Sequence, residues 1–227
     1  LDVGTAELVQ LAPTRAADMY FKLLLDEHEQ PIDDAWRGRR RDHLLGIWRT
    51  RQPHLLVTEL FPFGRRQMRF ELLPLLDAAT TTAQRPLIVS SVRDILVAQD
   101  KPERESEMAD LVERYFDHVL IHGDPALIPL DRTFPLAQAI GSKLHYTGYV
   151  VDESGSRPAV DGAGRAHHGQ IADRKRANAV QGREPAARDI ALNLLGDAAH
   201  LLFGHRDVGV VIEPRHGAPV VVVANGT

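Results

Sequence analysis

The chain has 227 residues, no cysteine and a net charge of −4, with 44% hydrophobic and 26% charged residues. These are the proportions of an ordinary soluble domain that can bury a sizeable core. They exclude disulfides and thiolate metal sites and give no electrostatic reason to expect nucleic acid. No run approaches the roughly 18 apolar residues that a membrane span needs.

Leu1 to Pro13 reads as the middle of a fold, with a strand expected over Glu7–Ala12. A mononucleotide-binding half opens with a strand and a glycine-rich turn. Neither is visible, so the first βα unit is expected to be missing. No signal peptide opens the chain, and a cytoplasmic location is expected. Thr14 can cap a helix carrying Ala17, Met19, Tyr20, Leu23 and Leu24, which Asp26 to Pro31 then breaks. Asp33 or Asp34 caps a second helix through Trp48, with Leu44, Ile47 and Trp48 on its core stripe. Arg37, Arg39, Arg40 and Arg41 fall on the same helix. A phosphate-rich partner is conceivable for such a cluster, but a solvated helix face is the preferred reading.

Three short apolar runs follow: His54–Glu59, Leu87–Ser91 and His118–His122. Each is strand length and continuous, which predicts strands of a parallel sheet covered on both faces. Crossover helices are expected over Arg65–Ala79 and Glu103–Phe116, completing a βαβαβ unit. Pro74 should kink the first of these helices or force a restart. The strands end in polar or flexible loops: Glu59 to Arg66, Ser90 to Asp94, and His122-Gly123-Asp124-Pro125. Ligands of open α/β sheets bind beyond the carboxyl ends of the strands, so these loops should share one rim.

On that rim, Gly64 can take a positive φ, and Arg65 and Arg66 can hold a phosphate or carboxylate. Their alternative is to pair with Glu59 or Glu71 and order the loop. Arg93 and Asp94 are expected to bridge neighbouring loops or to orient substrate. His122 beside Asp124 could be a base held by a carboxylate, or a structural hydrogen bonder. Thr133-Phe134-Pro135 starts a short helix to about Ile140, and Leu144–Val151 gives a last extended segment. No nucleophile elbow, P-loop or zinc-binding His-Glu-x-x-His occurs.

Thr58-Glu59-Leu60-Phe61-Pro62-Phe63-Gly64-Arg65-Arg66, Ser91-Val92-Arg93-Asp94-Ile95-Leu96, His122-Gly123-Asp124-Pro125 and Tyr146-Thr147-Gly148-Tyr149-Val150 occur in this order. Residues 1–151 resemble, through these motifs, a bacterial family of predicted glycosyltransferases. These are relatives of the family-28 group, which includes the N-acetylglucosaminyltransferase of peptidoglycan assembly. The resemblance implies a GT-B architecture, in which two Rossmann-like domains face each other across a cleft. Residues 1–151 would be the acceptor-side domain, without its first βα unit. It implies a hexosyltransferase-type enzyme that takes a nucleotide-sugar as substrate, needs no cofactor, and delivers the sugar to an unknown acceptor hydroxyl. Association with a membrane surface is expected only if that acceptor is a lipid. Glu59, Phe63, Gly64, Arg65, Arg66, Ser91, Arg93, Asp94, His122 and Gly123 become expected substrate-binding residues. The family's opening strand and its Gly/His-containing loop are absent, so no base is carried over; His122 and Asp124 are the candidates. A nucleotide-sugar epimerase of the same architecture and a non-catalytic α/β binding module are the rival readings.

Residues 152–227 are expected to be an atypical linker or tail, or a remnant of the donor domain. Asp152 to Arg188 is rich in Gly, Ala, Arg, His, Asp and Pro and lacks apolar periodicity. It reads as a linker or as a slipped reading frame. The codons of Gly155 to Gly162, read two bases later, can spell Val-Ser-Ala-Gly-Gly-Gly-Arg, which looks like the start of the family's donor domain. Ala187–Phe203 fits an amphipathic helix, and Val208–Ile212 with Pro219–Ala224 a hairpin around His216-Gly217. His167 and His168 lack a third ligand at metal-binding spacing and read as exposed loop histidines, so no metal is expected.

Overall fold

A computed structural model describes residues 7–18, 23–97, 101–148, 209–215 and 218–224. In chain order the elements are β1 (Glu7–Gln10), β2 (Arg15–Ala16), β3 (Leu24–Leu25), α1 (Asp34–Arg51), β4 (Leu55–Glu59) and α2 (Arg69–Thr81). Next come β5 (Leu87–Arg93), α3 (Pro102–Tyr115), β6 (His118–His122), β7 (Leu144–Tyr146), β8 (Gly209–Arg215) and β9 (Ala218–Ala224). 3₁₀ stretches cover Arg66–Met68, Leu130–Arg132 and Pro135–Lys143, the last broken by a kink at Ile140 and lying where a short helix is expected. The fold is α/β.

The main sheet has seven strands in the order β1-β8-β9-β4-β5-β6-β7. The five from β9 to β7 run parallel, and β8 and β1 extend the sheet antiparallel. The three apolar runs are thus adjacent parallel strands, as their continuity predicts. Glu59 lies opposite Ser91, and Arg93 opposite His122. Side chains alternate between the faces of a sheet. Leu56, Ile88, Val92, Val119, Ile121, Val221 and Val223 pack into one core with Leu44 of α1, Leu72, Leu75 and Leu76 of α2, and Val112 of α3. The other face carries Leu55, Val57, Val89, Leu120, Val220 and Val222, all buried. Glu59, Ser91, Arg93 and His122 continue that second face to the carboxyl edge.

The hairpin near the carboxyl end forms as β8 and β9, with Val210 opposite Val223. It belongs to the main sheet rather than to a separate tail. β9 lies against β4 in parallel register, Leu55 opposite Val220. The expected boundary at residue 151, the helix over 187–203, and His167 and His168 fall outside the described residues.

Two local expectations are corrected. Thr14 caps no helix: its hydroxyl donates to the Leu25 carbonyl at 2.8 Å, and Arg15 pairs with Leu25 across two short strands. Asp26 closes the turn after them, its Oδ1 accepting from His28 N and Gln30 N. The second correction concerns Arg40. Asp33 caps α1 as expected, accepting from Trp36 N at 2.7 Å. The buried stripe that follows is Trp36, Arg40, Leu44, Ile47 and Trp48. Arg40 therefore occupies a core position of the helix, not its solvated face.

The Arg40 guanidinium meets Glu71 of α2 in a two-point pair, Nε to Oε2 at 2.7 Å and Nη2 to Oε1 at 3.2 Å. It also donates to the Ala12 carbonyl and lies 5.7 Å from the Trp36 ring centroid. Both side chains of the pair are 0% exposed. Burial pushes the Glu71 carboxyl above the ordinary range, and Arg40 pulls it back down. The pair joins α1, α2 and the segment after β1. α2 itself runs through Pro74 as one helix, without the restart the proline suggests.

Breaking this pair from one side should cost far more than replacing it whole. Glu71→Gln leaves a guanidinium buried without its counter-charge and is expected to lower stability by about 3–5 kcal/mol. The double change Arg40→Met with Glu71→Leu should lose much less. Urea denaturation of both variants compares the two losses; equal losses would show that the charges do not act as a unit.

Candidate functional site

β4 ends at Glu59, and the chain turns back at once. Leu60 N donates to Ser91 O at 2.8 Å, Phe61 N to Glu59 O at 2.8 Å, and Gly64 N to Leu60 O at 2.8 Å. The Phe61 carbonyl accepts from two buried hydroxyls, Thr58 at 3.0 Å and Ser90 at 2.8 Å. These bonds hold Leu60 at φ 63° and Arg65 at φ 56°, a region that costs a non-glycine residue on the order of 1 kcal/mol or more. Gly64 is not the positive-φ residue of this turn. Its lack of a side chain serves close approach instead: a Cβ there would lie 2.7 Å from Leu60 Cδ2.

The turn sends its two arginines in different directions. Arg65 reaches back to Glu59, Nη2 to Oε2 at 3.4 Å, with both side chains 14% exposed. Arg66 points to α3, 3.3 Å from Glu107. Glu71 takes neither of them. Phe63, expected on the rim, is buried edge-on against Phe134 with centroids 5.2 Å apart. It fixes the turn from beneath.

Glu59 is held above the ordinary carboxyl range chiefly by burial, while Arg65 and Arg93 pull its pKa down. Arg93, at the end of β5, is exposed. A largely buried carboxylate whose pKa is raised can accept a proton more readily than an ordinary one, and the guanidinium groups beside it can position an anion.

The β5 and β6 loops touch closely. A Cβ on Gly123 would lie 2.4 Å from Asp94 Cβ, so glycine is what lets the loops meet. His122 is buried between strands. Its Nε2 is 2.9 Å from Ser91 Oγ and its Nδ1 is 2.8 Å from Thr147 Oγ1. Thr147 Oγ1 also lies 3.0 Å from Gly148 O. The ring thus has one hydroxyl at each nitrogen, Ser91 at Nε2 and Thr147 at Nδ1. Hydroxyls, not the Asp124 carboxylate, hold the ring. Asp124 organises its own turn, accepting from Ala126 N at 2.9 Å.

Of the expected site residues, Glu59, Arg65 and Arg93 form one electrostatic group. Ser91 with His122, and Asp94 with Gly123, tie the loops together behind it. Thr147 was not among the expected residues. It lies one residue past β7, its backbone N donating to the Ile121 carbonyl at 2.9 Å and its Oγ1 beside His122 Nδ1. Strand alternation from Tyr146 would have found it. Among the described residues there is no group of three or more His, Cys, Asp or Glu that could hold a metal ion. No helix among them is long and apolar enough to cross a membrane. The chain matches no family model, no curated protein and no solved structure.

Burial pushes the His122 imidazole down from 6.5 to about 4. As pH falls, the unfolded chain takes up this proton first. The folded state should therefore lose up to about 3 kcal/mol, starting below pH 6.5 and ending near the folded value. Across that window the wild type should fall relative to His122→Gln. Parallel curves of unfolding free energy against pH would mean that the ring titrates alike in both states.

Proposed function

We propose that the chain is the acceptor-side part of a cytoplasmic glycosyltransferase of GT-B type, which moves a sugar from a nucleotide-sugar to an acceptor hydroxyl. The reading is supported by one observation above the others. The carboxyl ends of adjacent parallel strands bring Glu59, Arg65 and Arg93 to one edge, with the Glu59 carboxyl raised by burial. Added to this is the resemblance carried by the four motifs.

In this reading Glu59 is the general base. It takes the proton from the acceptor hydroxyl as that oxygen bonds to the anomeric carbon, and the bond from that carbon to the nucleoside diphosphate breaks. Arg65 keeps enough of the carboxyl ionised to act, and Arg93 orients the acceptor. His122, neutral and held at both nitrogens, keeps β5, β6 and the residues after β7 in line and does not move a proton. The diphosphate is received by the other half of the cleft.

Glu59→Gln keeps the shape of the side chain and removes the base. With the full-length gene product, a panel of nucleotide-sugars and a panel of acceptors, it should lower kcat by about 10²–10⁴ with little change in KM. The acid limb of the wild-type pH profile should lie above the ordinary carboxyl range, and Arg65→Ala should move it higher still. Full turnover by Glu59→Gln would remove Glu59 from the mechanism. Isomerised free nucleotide-sugar formed without any acceptor would favour an epimerase instead.

A further inference from the structure

Arg66 takes no part in the chemistry described so far. It lines a cleft of about 430 Å³ between the start of α2 and the start of α3, together with Lys101, Glu103, Arg104 and Glu107. The charges in this cleft are unevenly matched. Glu107 is held by Arg69 at 2.6 Å and more loosely by Arg66 at 3.3 Å. Among the described residues, Lys101, Arg104 and Glu103 form no salt bridge. If Arg66 turns away from Glu107, Arg69 still neutralises that carboxylate. Three cations then face one unmatched carboxylate, Glu103.

We propose that this cleft binds the phosphate group of a small phosphorylated molecule. A phosphate carries about 1.5 to 2 negative charges and three acceptor oxygens, enough to engage two guanidinium forks and an ammonium together. Exchanging the partly exposed Arg66–Glu107 contact for a phosphate costs little, because exposed ion pairs contribute little to stability. The cleft lies on the helical side of the sheet, at the starts of α2 and α3, and its binding does not depend on the glycosyltransferase reading.

The test is calorimetric titration of the full chain with inorganic phosphate, pyrophosphate and uridine diphosphate at low and moderate salt. Pyrophosphate should bind, and more weakly as salt rises. Lys101→Gln and Arg104→Gln should each weaken it by about three- to tenfold, and the double variant should abolish it. Glu103→Gln should tighten it several-fold. These positions are at the surface, and unchanged thermal melting of the variants shows that they fold. The absence of phosphate and pyrophosphate binding overturns the site, as does binding that the double variant leaves intact. Equal affinity for uridine diphosphate and pyrophosphate supports recognition of the phosphate groups alone. A preference of tenfold or more for uridine diphosphate, lost in the double variant, overturns that in favour of a site that also reads the nucleoside. If phosphate binding behaves as stated while Glu59→Gln leaves sugar transfer intact, the catalytic reading fails and the site stands.

Discussion

Adjacent parallel pairing of β4, β5 and β6 is the constraint from which the rest of the architecture follows. Parallel neighbours cannot be joined by a tight turn, so each link must return along a face of the sheet through a helix. Connections of one hand then stack α2 and α3 on the same side. The apolar residues at alternate positions, Leu56, Ile88 and Val119 among them, are consumed by that helical layer. At the carboxyl edge the opposite set becomes polar. Glu59, Ser91, Arg93 and His122 are neighbours in space because register makes them so.

Among the described residues two carboxylates are raised by burial, and their surroundings separate their roles. Glu71 is closed off entirely and meets Arg40 at two points, so its charge is spent on joining helices. Glu59 has a looser partner at 3.4 Å and a second, exposed guanidinium near by. A closed pair resists exchange with a ligand, and an open one permits it. The same contrast distinguishes His122, enclosed by two hydroxyls, from the basic side chains around the cleft beside α3.

Much of this was legible in the sequence. Continuous runs of Leu, Ile and Val announced the three strands, and Asp33 announced the start of α1. What could not be read were relations between distant residues. Arg40 lies among three other arginines, and nothing local marks it as buried; the reason is Glu71, 31 positions on. Phe63 sits in a turn between Glu59 and Arg65 that ends on the rim, and its inward course is explained by Phe134, 71 positions on. The residues around Thr14 have helical spacing, yet a single hydroxyl bonded to Leu25 accompanies an extended pair. For the β8–β9 hairpin, pairing was visible but position was not. Four valines in succession suit a strand buried on both faces, and they do not say between which neighbours it lies.

That position has a consequence for how the chain reaches its native state. Val220 must find Leu55, about 165 residues earlier, and closing so long a span adds only modest entropy but delays assembly. Until it arrives, β4 presents an unsatisfied, apolar flank to its surroundings. A nascent molecule in that condition can accept the equivalent hairpin from another copy where copies are concentrated. Strand-exchanged dimers during concentrated refolding, and insoluble material during rapid synthesis, are the natural failures of such a design.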